Sequence, residues 1–131
     1  MECIVNYDPE YYPVLYGFLK DKMDNEDIMF SQIETRVLLE DEPIGFYSAE
    51  KIGKFYNLHH FFIQEGKREI KSVLMLIQDL FKKAKSRGCL FLALHCLENS
   101  YEENFIRKFG RRRNVRLIEK ANGFNFYTAE V

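Results

Sequence analysis

Between Phe55 and His95 the rhythm of apolar positions changes twice. Phe55 to Ile63 is an apolar run of strand length, and it ends in the polar stretch Gln64 to Glu69. Ile70, Val73, Leu74, Ile77, Leu80, Phe81 and Ala84 then recur at spacings of three and four, which predicts one face of a helix. Lys71, Gln78, Lys82, Lys85 and Arg87 fall elsewhere on it. Gly88 suits the position just past a helix end, where a positive φ is needed. Cys89 to His95 is almost wholly apolar and reads as a strand buried on both faces. Together these elements predict a βαβ unit, whose parallel strands bring the helix start beside the end of the first strand. Free N–H groups and the helix dipole make such a helix start an anion site, suited to a phosphate-bearing ligand.

The same patterning places the remaining elements. Glu2 to Asn6 is a short strand. Asp8-Pro9 is a helix start, Asp as the cap and Pro at the first helical position, and the helix runs to about Lys22. Asp24 or Asn25 caps a second short helix through about Ser31. From Ile33 the period becomes that of strands. Thr35 to Glu40, Ile44 to Ala49 and Phe55 to Ile63 have short connections and predict an antiparallel meander. Asn99 to Gly110 is a last helix, with Asn99 or Ser100 as cap and Phe105, Ile106 and Phe109 facing inward. Val115 to Glu119 and Phe124 to Thr128 flank Asn122-Gly123, a strong hairpin signal.

Composition narrows the class. The chain has 131 residues, with 47% hydrophobic and 30% charged, which fits one soluble globular domain over residues 1–131. A net charge of −1 gives no global drive toward nucleic acid or an anionic membrane. No apolar run reaches the ~20 residues that span a bilayer. The amino terminus lacks the basic start and apolar segment of a signal peptide, so the expected compartment is the cytoplasm. Cys3, Cys89 and Cys96 have no metal-ligand spacing and read as reduced, buried thiols.

The order strand, two helices, three-strand meander, helix, strand, helix, hairpin resembles the GCN5-related N-acetyltransferase (GNAT) family. Its members transfer an acyl group from acyl-coenzyme A to an amine. Ile44-Gly45-Phe46 resembles the family's apolar-Gly-apolar strand, and Ala84 to Gly88 its Ala-Lys-x-x-Gly helix end. Asn99, with Phe105-Ile-Arg-Lys-Phe-Gly110, resembles its last-helix pattern. The fold this implies is α/β: a GNAT-like mixed, mostly antiparallel sheet with helices on both faces. The cosubstrate it implies is acetyl-CoA or another acyl-CoA, and the acceptor an amine.

The resemblance places the cofactor-binding candidates at Ile63, Gln64, Gly66, Lys67, Arg68, Lys71, Ser72 and Asn99. The loop departs from the family pattern of Arg/Gln-x-x-Gly-x-Gly/Ala. It has one glycine, Gly66, and two acids, Glu65 and Glu69, which compete with phosphate for the positive helix end. Lys67, Arg68 and Lys71 supply the opposing cations. The position matching the family's thiolate-protonating tyrosine is Ile106, and Tyr101 lies more than a turn earlier on the same helix. The amine must lose a proton before it attacks, and His59 or His60, on opposite faces of their strand, offers an imidazole for this. The competing role for each is a hydrogen-bonded or solvated structural histidine. His95 has the same two readings. Asp21 to Asp27 and Glu40 to Glu42 are either an amine entrance or plain surface. Arg107, Lys108, Arg111, Arg112, Arg113 and Arg116 read as a solvated turn, with nucleic acid disfavoured and a homodimer or protein partner left open. Two functions follow: a divergent acyl-CoA-dependent N-acyltransferase, or a catalytically inactive GNAT-fold interaction protein such as a viral or phage accessory protein.

Overall fold

The computed structural model describes residues 2–19 and 30–131. The expected short helix from Asp24 and the acidic stretch Asp21 to Asp27 lie outside the described residues. The strands are β1 (Cys3–Asn6), β2 (Glu34–Leu39), β3 (Pro43–Ile52), β4 (Phe55–Ile63), β5 (Phe91–Leu97), β6 (Arg116–Ala121) and β7 (Phe124–Glu130). The α-helices are α1 (Tyr12–Leu19), α2 (Ile70–Ser86) and α3 (Tyr101–Phe109), with 3-10 turns at Pro9–Tyr11 and Gly110–Arg113. The strands join in the order β1-β2-β3-β4-β5-β7-β6. No helix among the described residues is long and apolar enough to cross a membrane. Contacts divide the chain into two compact units, Met1–Glu50 with His59–Leu80, and Lys51–Leu58 with Phe81–Val131.

In the first unit β1, β2 and β3 are antiparallel neighbours. Val37 pairs with Phe46 and Arg36 with Tyr47, so the two pairs point to opposite faces. The Val37–Phe46 face meets α1. Leu15, Leu19, Phe30, Val37 and Phe46 form a buried cluster, edged by Val5, Tyr7, Tyr11, Phe18 and Phe62. Asp8 starts this region as expected: its carboxylate accepts the Glu10 N–H at 2.9 Å, and Pro9 follows. Pro13 sits in the first turn of α1, where its missing N–H costs nothing.

The Arg36–Tyr47 face meets α2. Asp79 accepts Arg36 Nε at 3.0 Å and Nη2 at 3.1 Å, and the Tyr47 hydroxyl at 2.6 Å. Helices therefore cover both faces of this part of the sheet, as expected.

The buried stripe of α2 matches the expected one only in part: Val73, Leu80 and Ala84 were expected, and Leu76 is new. Val73, Leu76, Leu80 and Ala84 are buried, whereas Leu74, Ile77 and Phe81 are half-buried and Ile70 is 56% exposed. Two stripes of helical spacing overlap in this sequence, and apolarity alone does not rank them. The inward polar groups do. Asp79 must reach Arg36 and Tyr47, and buried Ser72 donates to Glu2 Oε1 at 2.7 Å, so the helix rolls toward Ser72, Leu76 and Asp79.

In the second unit β5 runs parallel to β4 from Phe55↔Phe91 to Asn57↔Ala93, and antiparallel to β7 along its length. Only Leu92 and Cys96 of β5 are buried, which corrects the expectation of burial on both faces. Cys89 precedes the strand, its N–H closing the end of α2 on the Ala84 carbonyl at 3.0 Å, with Gly88 at φ +74. Cys89 and Cys96 are buried, but Cys3 is exposed, because it sits on an outward position of β1. Asn122 and Gly123 turn β6 into β7 with φ of 53 and 81, the two positive values of a type I′ hairpin.

Truncating Leu76 or Leu80 to Ala should each cost about 2–5 kcal/mol through the cavity left. Ile70→Ala should stay within about 0.5 kcal/mol, as exposed positions do. Denaturant melts of the three variants measure the roll of α2 directly.

Candidate active site

The loop between β4 and α2 is held at both ends by backbone. The Gln64 N–H donates to the Ile44 carbonyl at 2.7 Å. Beside it, a Cβ on Gly45 would lie 2.7 Å from the Phe62 carbonyl oxygen and 3.2 Å from the Ile63 side chain. Only glycine lets β3 approach β4 this closely. The Lys67 N–H returns to the Gln64 carbonyl at 2.9 Å and the Glu69 N–H to that of Lys67 at 2.9 Å. Gly66 at φ +87 makes the turn, and a Cβ there would meet open space, so conformation rather than packing requires glycine. The Val73 N–H then donates to the Glu69 carbonyl at 3.1 Å and α2 begins.

The candidate cofactor residues on this loop differ in their engagement. Ile63 is buried, and Gln64, Gly66 and Lys71 are exposed. The Lys67 ammonium lies 3.3 Å from Glu40 in an exposed pair, worth little in water. Arg68 Nε donates to the Ile63 carbonyl at 2.9 Å, tying the loop back to the strand end. Ser72 is buried with its hydroxyl on Glu2. Gly66 and Lys71 are thus the exposed candidates for a phosphate group, while the Ser72 hydroxyl is turned to a carboxylate.

The histidines separate. His59 is exposed, with Nε2 3.4 Å from Glu50 Oε1. His60 is half-buried, its ring 6.3 Å from that of Phe46, itself in the buried cluster under α1. His95 lies against Phe124 and Phe126 at 5.8 and 5.7 Å. Tyr101 opens α3 and is 43% exposed.

The corner from β5 into α3 carries a group that the periodicity did not expose. Among the described side chains of α3, which do not include that of Phe109, the buried one is Glu103, fully inaccessible to solvent, rather than Phe105 or Ile106, which are half-buried. Its Oε1 accepts the Asn99 N–H at 3.1 Å and Arg107 Nη2 at 2.8 Å. Its Oε2 accepts the Tyr127 hydroxyl at 2.9 Å and the Asn125 amide. Ser100, not Asn99, is the cap, its hydroxyl accepting the Glu103 N–H at 3.2 Å. Ser100-x-x-Glu103 is a capping box whose carboxylate reaches one residue further back, to Asn99 at φ +60. This sequence signal was present; its burial was legible only with Asn125 and Tyr127, two apart on β7 and so on one face.

Hydrogen bonds from Asn125 and from the Asn99 N–H outweigh burial and hold the Glu103 carboxyl down to about 2. Burial, reinforced by Glu103, pushes the Cys96 thiol up to about 11, so it stays protonated and unreactive. Burial and the bond to Glu103 also raise Tyr127. Because the carboxyl is depressed below its ordinary value of roughly 4.3, its stabilisation is fully present above that range and is lost as pH falls toward 2. Urea melts from pH 5 to 2 should show stability falling steeply in the parent. The fall should be shallower in Glu103→Gln, which starts lower because its amide cannot accept all four donors.

No family model matches the sequence, and no curated protein matches it. Solved structures do match along the whole chain. PaiA N-acetyltransferase from Thermoplasma acidophilum, in complex with coenzyme A, is 16% identical, with 100% of this chain and 99% of that one covered and a TM-score of 0.80. Ard1 from Thermoplasma volcanium is 12% identical, with 99% and 97% covered and a TM-score of 0.81. A GNAT family acetyltransferase from Elizabethkingia anophelis with acetyl-CoA bound is 17% identical, with 99% and 98% covered and a TM-score of 0.76.

Proposed function

We propose that this chain, which has the fold of the GNAT acetyltransferases, is a divergent acyl-CoA-dependent N-acyltransferase. The observation that carries the reading is the passage from β4 through Gly66 into α2. It presents an exposed glycine turn, a helix start and Lys71 where a pyrophosphate can be received. Matched structures such as PaiA and the Elizabethkingia anophelis enzyme hold coenzyme A or acetyl-CoA. Lys67 and Arg68 shape the loop through Glu40 and the Ile63 carbonyl, and Asn99 remains a candidate by resemblance.

When bound, acyl-CoA supplies a thioester carbonyl for attack and a thiolate leaving group. His59 is the better base of the two histidines, because it is exposed and a carboxylate faces its imidazole. His60 is a packing residue beside Phe46 in this reading. Tyr101, exposed at the start of α3, is the candidate proton donor to the thiolate. The acceptor is an amine, and a cytoplasmic location accords with the reading.

The inactive GNAT-fold interaction protein is favoured by one group of observations. Ser72 is committed to Glu2, Arg68 to Ile63 and Lys67 to Glu40, which leaves the loop poor in free donors. Ligand binding separates the readings. Acetyl-CoA at one hundred times its Kd should stabilise the protein by about 2.7 kcal/mol. Lys71→Glu should weaken that shift. Millimolar acetyl-CoA giving neither heat nor a melting shift would establish the inactive protein instead.

The base is tested by rate. His59→Ala should lower acyl transfer by about 10²–10⁴-fold and remove the lower limb of the pH–rate profile. His60→Ala should leave that limb intact. Identical profiles for the two variants would remove His59 from the mechanism.

A further inference from the structure

The net charge of −1 conceals a segregation of charge between the two units. The unit Lys51–Leu58 with Phe81–Val131 holds thirteen Lys and Arg against five Asp and Glu, a balance of +8. The unit Met1–Glu50 with His59–Leu80 holds six against fifteen, a balance of −9. In the basic unit no acid occurs from Phe81 to Leu97, nor from Asn104 to Ile118.

The fold joins these two stretches. The Arg113 guanidinium lies 4.3 Å over the Phe81 ring, bringing the turn Gly110–Arg113 against the last part of α2. The Lys51 ammonium donates to the Arg87 carbonyl at 2.8 Å, adding the β3 end. Lys82, Lys85, Arg112 and Arg116 are exposed. The ion pairs of Arg107 with Glu103 and of Lys120 with Glu98 involve none of those four. A helix dipole explains cations at the end of α2, but not Arg112 or Arg116.

Arg116 also lines an open groove of about 370 Å³ with Phe55, Phe91, Leu117, Ile118 and Thr128. Phe55 and Phe91 stack at 5.5 Å, and Phe55 is 39% exposed. Arg116 thus borders an aromatic pair of which Phe55 is exposed and Phe91 half-buried. Protein-binding surfaces have cores depleted in charge, which this surface does not match. Cations tracking a backbone beside an aromatic platform match an unpaired strand, whose phosphates need only positive charge and whose bases need only a ring face.

We propose that the basic unit binds single-stranded nucleic acid, with Lys82, Lys85, Arg112 and Arg116 on the phosphates and a base against Phe55 and Phe91. This does not depend on acyl transfer. Anisotropy of a labelled oligothymidine with the full chain, over about 50–200 mM salt, tests it. Binding should weaken with salt, and each of Lys85→Ala, Arg112→Ala and Arg116→Ala should reduce the log–log slope by about 0.7. Phe55→Leu keeps an apolar side chain but loses stacking, and should weaken binding roughly 10-fold. Thermal melts confirm that each variant is folded. The proposal is overturned by no binding at low salt, or by alanine variants that bind like the parent. Displacement of the oligonucleotide by polyglutamate at equal charge would overturn it in favour of an acidic protein. Equal binding of duplex together with an unaffected Phe55→Leu would overturn the single-strand assignment.

Discussion

The carboxylate of Asp79 sets the geometry of the first unit. It is gripped by two nitrogens of Arg36 and by the Tyr47 hydroxyl, groups that project from adjacent strands on one face. Bidentate pairing fixes direction as well as distance. The hydrogen bond to Asp79 holds the Arg36 guanidinium further up in its basic range, so the pair stays ionised. The grip decides how α2 rolls on the sheet. The roll puts Leu76 and Leu80 inside, seals Ser72 against Glu2, and leaves Lys71 exposed. The character of the loop before α2 follows from it: the helix start offers backbone and a lysine, not a hydroxyl.

Glu103 has the corresponding part in the second unit, by different means. One buried carboxylate collects a backbone N–H, an amide, a phenol and a guanidinium. A buried charge is tolerable only when its lone pairs are satisfied in this way. The result fixes Asn99 in a left-handed conformation and ties α3 to β7. It also disposes of Cys96, whose thiol is kept protonated beside it.

The fold is that of the GNAT acetyltransferases along the whole chain, yet Lys67, Arg68 and Ser72 are engaged within the protein. Of the two histidines that alternate on β4, one faces a carboxylate and the other an aromatic cluster. The charge of the chain is divided rather than absent, so partners excluded by the net value return once the units are considered separately.

Strand β4 keeps the boundaries its apolar run implies, and Asn122-Gly123 turns as such a pair must, because both depend on neighbours in sequence. The existence of α2, its glycine end and the order of the described elements were legible for the same reason. The roll of α2 was not, since two apolar stripes satisfy the same period and the choice rests with Arg36 and Tyr47, over thirty residues away. The burial of Glu103 was equally hidden. Its capping box could be read, but the partners that make burial affordable lie on β7. Ser72 read as a phosphate ligand until Glu2 was brought to it. Local backbone preference and periodicity are written in consecutive residues. Which polar group is paired inside, and which cation is left for a ligand, depends on contacts that exist only once distant segments meet.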